Sequence, residues 1–188
     1  NLTLYPWLGI NIEGVQLSNT DSFDSTLFLE AKTFKARAKL LPLLRKELEM
    51  DTLILHGVKL NLITNAKGEN NWDDLVNSKE KKQNANQNLP FAALILGGID
   101  IKNGSIKWND LQQGVQYNIT KTNLNTGELK LGEPIDITAS SKISATKPAV
   151  SSDIQFEGTL SYEKKGDILI LKPILLEADV SGKEIPGG

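Results

Sequence analysis

Hydrophobic and polar residues alternate along most of this chain with the two-residue period of a β-strand. Leu8, Ile10 and Ile12 share one face, and Val15 and Leu17 resume the pattern after Gly14. Phe34, Ala36, Ala38 and Leu40 lie on one side of the next strand, with Lys35, Arg37 and Lys39 on the other. The apolar run Leu53–Leu55 is broken at His56-Gly57, after which Val58, Leu60 and Leu62 alternate again, which predicts a β-hairpin. A turn at Asn65–Gly68 leads to Asn71-Trp-Asp-Asp-Leu75, which has the form of a helix entry. Asn71 is its expected cap, and Asp73 and Asp74 sit in the first turn, where the helix dipole favours carboxylates.

Further strands follow. The apolar run 91–101 leads into Lys102-Asn-Gly104-Ser105, where a hairpin turn is expected, and Ser105–Trp108 returns. Val115, Tyr117 and Ile119 alternate, as do Ile135, Ile137 and Ala139, whose face Ile143 and Ala145 continue. Val150–Tyr162 is the longest uninterrupted pattern, and at roughly 3.3 Å per residue it would extend about 43 Å. A hairpin turn at 164–167 precedes Ile168–Leu171, then Ile174, Leu176, Ala178 and Val180. Helical signal is confined to residues 41–47 and the 71–75 entry. Residues 77–88 lose nearly all apolar character and read as a flexible polar insert.

Two strings recur. Leu53-Ile-Leu-His-Gly57 is echoed by Leu94-Ile-Leu-Gly-Gly98, 41 positions later, and Trp72-Asp-Asp-Leu75 by Trp108-Asn-Asp-Leu111, 36 positions later. They suggest one hairpin unit used twice along a growing sheet.

Composition narrows the function classes. A chain of 188 residues is expected to form a single β-rich unit, and it reads as a fragment of a longer protein whose other parts hold any targeting or anchor segment. A net charge of −2 argues against a nucleic-acid footprint. The chain has no Cys and one His, so neither thiol chemistry nor a zinc site is expected. Asp73 and Asp74 lack the spacing of a calcium loop. No constellation suggests catalysis: no catalytic, metal-binding or cofactor-binding residues are assigned, and no cofactor is expected.

About ten strands, each with one apolar face, and one or two short helices pose a covering problem, because an apolar sheet face must be removed from water. The sheet either folds over a filled core or curls into a trough whose lining is covered by something else, such as acyl chains. On the pattern alone the fold class is mostly β, and both solutions stay open.

Tyr5-Pro-Trp-Leu-Gly-Ile10, Val15-Gln-Leu-Ser-Asn19, Leu40-Leu-Pro-Leu-Leu44, residues 53–62 and Asn71-Trp-Asp-Asp-Leu75 resemble the AsmA family in order and spacing. The resemblance covers residues 5–75 well and residues 91–180 only through strand pattern and the Ile99 to Trp108 hairpin. It implies the trough form of the mostly β fold: a long curved antiparallel sheet, an open trough or half-barrel, with one or two short helices. It implies an envelope protein of diderm bacteria, periplasmic and held at the inner membrane by an N-terminal helix outside this stretch. It also implies a part in phospholipid transport and outer-membrane biogenesis, with acyl chains held in an apolar β-groove. The alternative is a non-enzymatic β-scaffold assisting outer-membrane protein assembly. On this expectation the partners are phospholipid acyl chains and outer-membrane assembly proteins. The groove would be lined by Phe34, Ala36, Ala38, Leu60, Leu62, Ile135, Ile137, Ile154, Phe156, Leu160, Ile174 and Leu176.

Overall fold

The computed structural model describes residues 7–20, 23, 26–77, 93–130, 132–163 and 168–182. They form one sheet of twelve strands and two five-residue helices. The strands are β1 (Trp7–Ser18), β2 (Leu27–Lys39), β3 (Glu47–Met50), β4 (Leu53–His56), β5 (Lys59–Thr64), β6 (Ala93–Leu96), β7 (Ile99–Asp110), β8 (Val115–Thr126), β9 (Leu129–Lys130), β10 (Ile135–Thr146), β11 (Ala149–Glu163) and β12 (Ile168–Gly182). The helices are α1 (Leu40–Leu44), between β2 and β3, and α2 (Asp73–Asn77), after β5. The expected insert from residue 78 on and the expected turn at 164–167 lie outside the described residues.

Strands that continue one another reduce the sheet to eight long rungs: β1, β2, β3–β4–β5, β6–β7, β8–β9, β10, β11 and β12. Neighbouring rungs run antiparallel except for one pair. Glu47 pairs with Ala93, Leu53 with Ile99 and Lys59 with Ser105, all parallel and all 46 residues apart. The two rungs are therefore in register along their whole length, and the structural repeat is 46. The string echoes at 41 and 36 do not follow the pairing.

Both expected hairpins in this region are absent. Residues 53–64 continue in one direction through His56-Gly57, pairing with β2 on one side and β7 on the other. Likewise β7 passes unturned through Lys102–Ser105. What breaks the alternation at both places is a left-handed residue inside a continuing rung. Gly57 has φ 62° and Asn103 φ 51°, and they occupy the same position in the parallel pair. Gly14 (φ 68°) falls at the same level on β1 and Lys121 (φ 52°) on β8. The β7–β8 register shifts at this level, as a β-bulge does when it bends a strand and increases its twist. Together these residues draw a crease across the sheet. At the crease the side chains on one face step by three residues instead of two: Ile12 to Val15, Leu55 to Val58, Ile101 to Gly104. β2 makes the same step from Ala31 to Phe34 with no left-handed residue.

A second, glycine-marked line runs about five residues away on each rung. Gly9 lies opposite Arg37, the Leu53 N–H donates to the Gly98 carbonyl, and the Gly127 N–H donates to the Asp136 carbonyl. Farther across, Ile137 pairs with Gly158 and Gly158 with Pro173. A side chain at Gly98 would meet the Thr126 carbonyl oxygen at 2.6 Å, and one at Gly158 the Lys172 carbonyl oxygen at 2.6 Å. Pro173, which cannot donate to a ladder, sits on the edge strand β12 at this bulge.

No second layer covers the sheet among the described residues. The only buried apolar residues there are Phe28, Ala31 and Val115. A filled core is thus excluded for this region, and the sheet is an open, curved surface.

Candidate functional site

The uncovered apolar face is organised in rows that cross the strands. Pairing runs unbroken from Ile12 to Phe34, Leu55, Ile101, Leu124, Ala139, Phe156 and Leu176, one residue from each rung. A second row joins Leu17, Leu29, Leu60, Ile106, Ile119, Ile143, Ser152 and Val180 in the same way. Apart from Ala139 and Ser152, every member is a bulky apolar residue. At roughly 4.8 Å between strands, each row spans about 34 Å.

Between these rows, at the level of the crease, most residues are smaller, though Ile154 is not. Val15 faces Ala31, Gly104 faces Thr122, and Ser141 faces Ile154. The result is a furrow with bulky walls and a low floor. Over β1, β2, β4–β5 and β7 it deepens into a cleft of about 550 Å³ lined by residues of both walls and the floor, with Ser105 and Thr122 as its only polar side chains. That volume lies within the range of about 300–1,000 Å³ of small-molecule sites. Thr122 and Ser141 hydroxyls bond each other at 3.0 Å, and Ser141 also reaches the Thr120 carbonyl oxygen at 3.3 Å. The Ser152 hydroxyl, in the second wall, is buried without a hydrogen-bond partner.

Among the residues expected to line a groove, Phe34 and Leu60 line this cleft. Phe156 and Leu176 lie on the first wall, and Ile154 on the floor. Ala36 and Ala38 pair with Ile10 and Leu8 on the same face of β2. Leu62 pairs with Trp108 at one rim, while Ile135 with Leu160 and Ile137 with Gly158 lie toward the other. Ile174 has no partner of its own at the β12 bulge and is 73% exposed. Sequence reasoning missed Ile12, Val15, Leu29, Ala31, Leu55, Val58, Ile101 and Ile106. Their signal is the repeated three-residue step, which reads as a turn at His56-Gly57 and at Lys102–Ser105.

After β5, residues 70–73 pack at one rim of the face. Trp72 meets Trp108 edge-on at 6.1 Å, and Trp108 stacks on Tyr117 at 5.0 Å. The Trp108 Nε1–H donates to the Thr64 hydroxyl, whose own hydrogen goes to Asn70 Oδ1. Asn71 is buried and is not the helix cap expected. Its Oδ1 accepts the Ile63 N–H, and its Nδ2 donates to the Asn61 carbonyl and to Asn19 Oδ1. Asp73, at the start of α2, reaches back along the chain instead: its carboxylate accepts the Asn70 N–H at 2.8 Å and the Asn70 amide at 3.1 Å. The first of these bonds, aided by the second, holds the Asp73 pKa below its ordinary value.

The opposite face is polar. Arg37 is ion-paired with Asp51 and Lys39 with Glu49, and both cations lie over the Trp7 ring, at 5.5 Å and 5.8 Å from its centroid. Two of the three charges in the basic row of β2 are thus matched within the sheet.

In comparisons with known proteins, the family model described as the AsmA family matches residues 1–187. The match extends the resemblance from residues 5–75 to nearly the whole chain. No curated protein matches the chain.

Proposed function

The chain belongs to the AsmA family, and from that premise we propose that it is a non-enzymatic carrier of phospholipid acyl chains, working in the periplasm as part of an inner-membrane-anchored protein of outer-membrane biogenesis. Family membership supports a role in envelope or lipid-transport assembly generally. The observation that carries the finer reading is the furrowed apolar face, which has no protein layer over it among the described residues. Water is a poor cover for such a surface, since exposure costs about 25 cal/mol per Å² of apolar area. An acyl chain covers it without any specific polar contact, while its head group stays wet at the rim. Holding is then passive, and release needs only a competing apolar surface.

Native mass spectrometry of the purified chain, followed by lipid extraction, tests this. Phospholipid is expected to co-purify at a fixed ratio and to be lost in Phe34→Asp and Leu60→Asp variants that keep their circular dichroism. A folded chain that carries no lipid and takes up none from phosphatidylethanolamine–phosphatidylglycerol vesicles would sink the proposal.

The scaffold reading draws on a different observation. Among the described residues, β1 and β12 each pair on one side only, leaving two long edges able to add a strand from a client. A lipid-free chain that captured unfolded outer-membrane strands would favour it.

A further inference from the structure

The geometry points to the α1 turn as a docking tip for an anionic membrane surface, a contact separate from the furrow and independent of what the furrow holds. α1 is Leu-Leu-Pro-Leu-Leu, and none of its residues is buried. Leu44 is 82% exposed, the most exposed large apolar side chain among the described residues, and Leu41 is 44% exposed. Both stand beyond the end of β2 and belong to neither wall of the furrow. Trp7, which pairs with Lys39 at the same end of β2, is also exposed. A turn of bare leucines costs solubility and packs no core.

The neighbouring charges select its cover. Between Glu30 and Glu47 the chain carries six cations and no acid, within a protein of net charge −2. Asp51 takes up Arg37 and Glu49 takes up Lys39. Glu47 is half-buried in β3. Arg45 and Lys46, directly after Leu44, are exposed and have no ion-pair partner among the described residues. The Lys46 N–H closes the turn on the Leu43 carbonyl with φ at 61°. Glycine or asparagine fits that left-handed position at less cost, so lysine there trades backbone strain for a charge beside the leucines. Leucine and tryptophan beside free cations are the composition of an interfacial contact: apolar side chains enter the acyl boundary and the cations meet phosphate head groups. An uncharged cover would leave Arg45 and Lys46 without counter-charges.

Flotation of the whole chain with phosphatidylcholine–phosphatidylglycerol vesicles, and with phosphatidylcholine vesicles, tests the assignment. The wild type is expected to bind the anionic vesicles about ten-fold more tightly or better, and salt should weaken that binding. A cation near an anionic surface strengthens binding about five-fold. Arg45→Glu combined with Lys46→Glu should therefore weaken it roughly 25-fold or more, and Leu44→Asp about ten-fold. Lys46→Gly should weaken it about five-fold, and because glycine accepts the left-handed backbone freely, this variant stays folded and keeps the test decisive. Leu111→Asp, an equally bare leucine after β7, should bind as the wild type does. Undiminished binding in Lys46→Gly and in the double variant, equal binding to the two vesicles, or binding to neither overturns the docking tip. Lipid that co-purifies with the chain is read separately by native mass spectrometry and should be unchanged in the tip variants. Its loss in them would overturn the tip as a separate contact, and its absence from the wild type would sink the carrier reading alone.

Discussion

Asn71 does at one position what a strand end requires: it supplies partners to backbone groups that no neighbouring strand reaches. Its side chain serves the Ile63 N–H and the Asn61 carbonyl from a site 6% exposed. Asn71→Ala would orphan both, at about 1–3 kcal/mol for each group left unsatisfied. The expected loss is about 2–3 kcal/mol of stability in urea unfolding, with Trp72 and Trp108 fluorescence shifting early as the corner opens. Asp73, two residues on, makes a pH-dependent contribution. Its pKa is lowered on folding, so its stabilisation is present above the unfolded value of about 3.9 and fades as the pH falls through the lower folded value. In Asp73→Asn this acid-side change in the corner should disappear, read as a flat hydrogen-exchange rate of the Asn70 amide, corrected for intrinsic chemistry, below pH 4. The Asn71-to-Asp73 stretch was recognisable in the sequence as a helix entry. That Asn71 does not cap it was not, because Asn71 is claimed by β5, a contact set by the turn at residues 65–70.

At the scale of the element, the crease replaces turns. A left-handed residue costs a non-glycine roughly 1–2 kcal/mol and glycine almost nothing. Gly14 and Gly57 fit this rule, while Asn103 and Lys121 sit in the same region with side chains. Gly57→Val should destabilise the sheet by about 2 kcal/mol, since its φ is left-handed and a Cβ would press on the Lys32 side chain at 2.8 Å. Lys121→Gly should do the reverse and stabilise by up to about 1 kcal/mol. Chemical denaturation of the two variants checks the pair, and a gain in stability from Gly57→Val would show that the crease is not held where it is drawn. Turn chemistry and bend chemistry use the same residues, Gly and Asn. A His-Gly or Asn-Gly pair between apolar runs therefore predicts a reversal or a crease equally well, and only strand pairing separates them.

For the whole molecule, the energetic question is how a one-layer sheet stays in water. Apolar side chains shield one another along each row, yet Leu8, Ile10, Leu169 and Leu176 remain 60%, 55%, 68% and 65% exposed. An amphiphile should therefore stabilise the chain, and its hold should grow with chain length. At about 0.8 kcal/mol per methylene buried, two added carbons on one seated chain tighten binding roughly 15-fold. Titration with fatty acids of 12, 14 and 16 carbons below their micelle concentrations measures that slope. A flat series would mean that the chain is not seated in the furrow.

The sequence alone determined that the chain is built of one-sided strands, that helix is too scarce to cover them, and which face of most strands is apolar, because side-chain alternation is a local property of extended backbone. It also carried the family, through short strings whose order survives without the fold. Tertiary structure decided what local pattern cannot hold: that two rungs run parallel 46 residues apart, that apparent turns are bends in continuing strands, and that residues as distant as Ile12, Leu60 and Ile106 share one cleft. Register is the physical reason. It is fixed by pairing between segments far apart in the chain, and a step of one residue in any rung would send its apolar side chains to the opposite face.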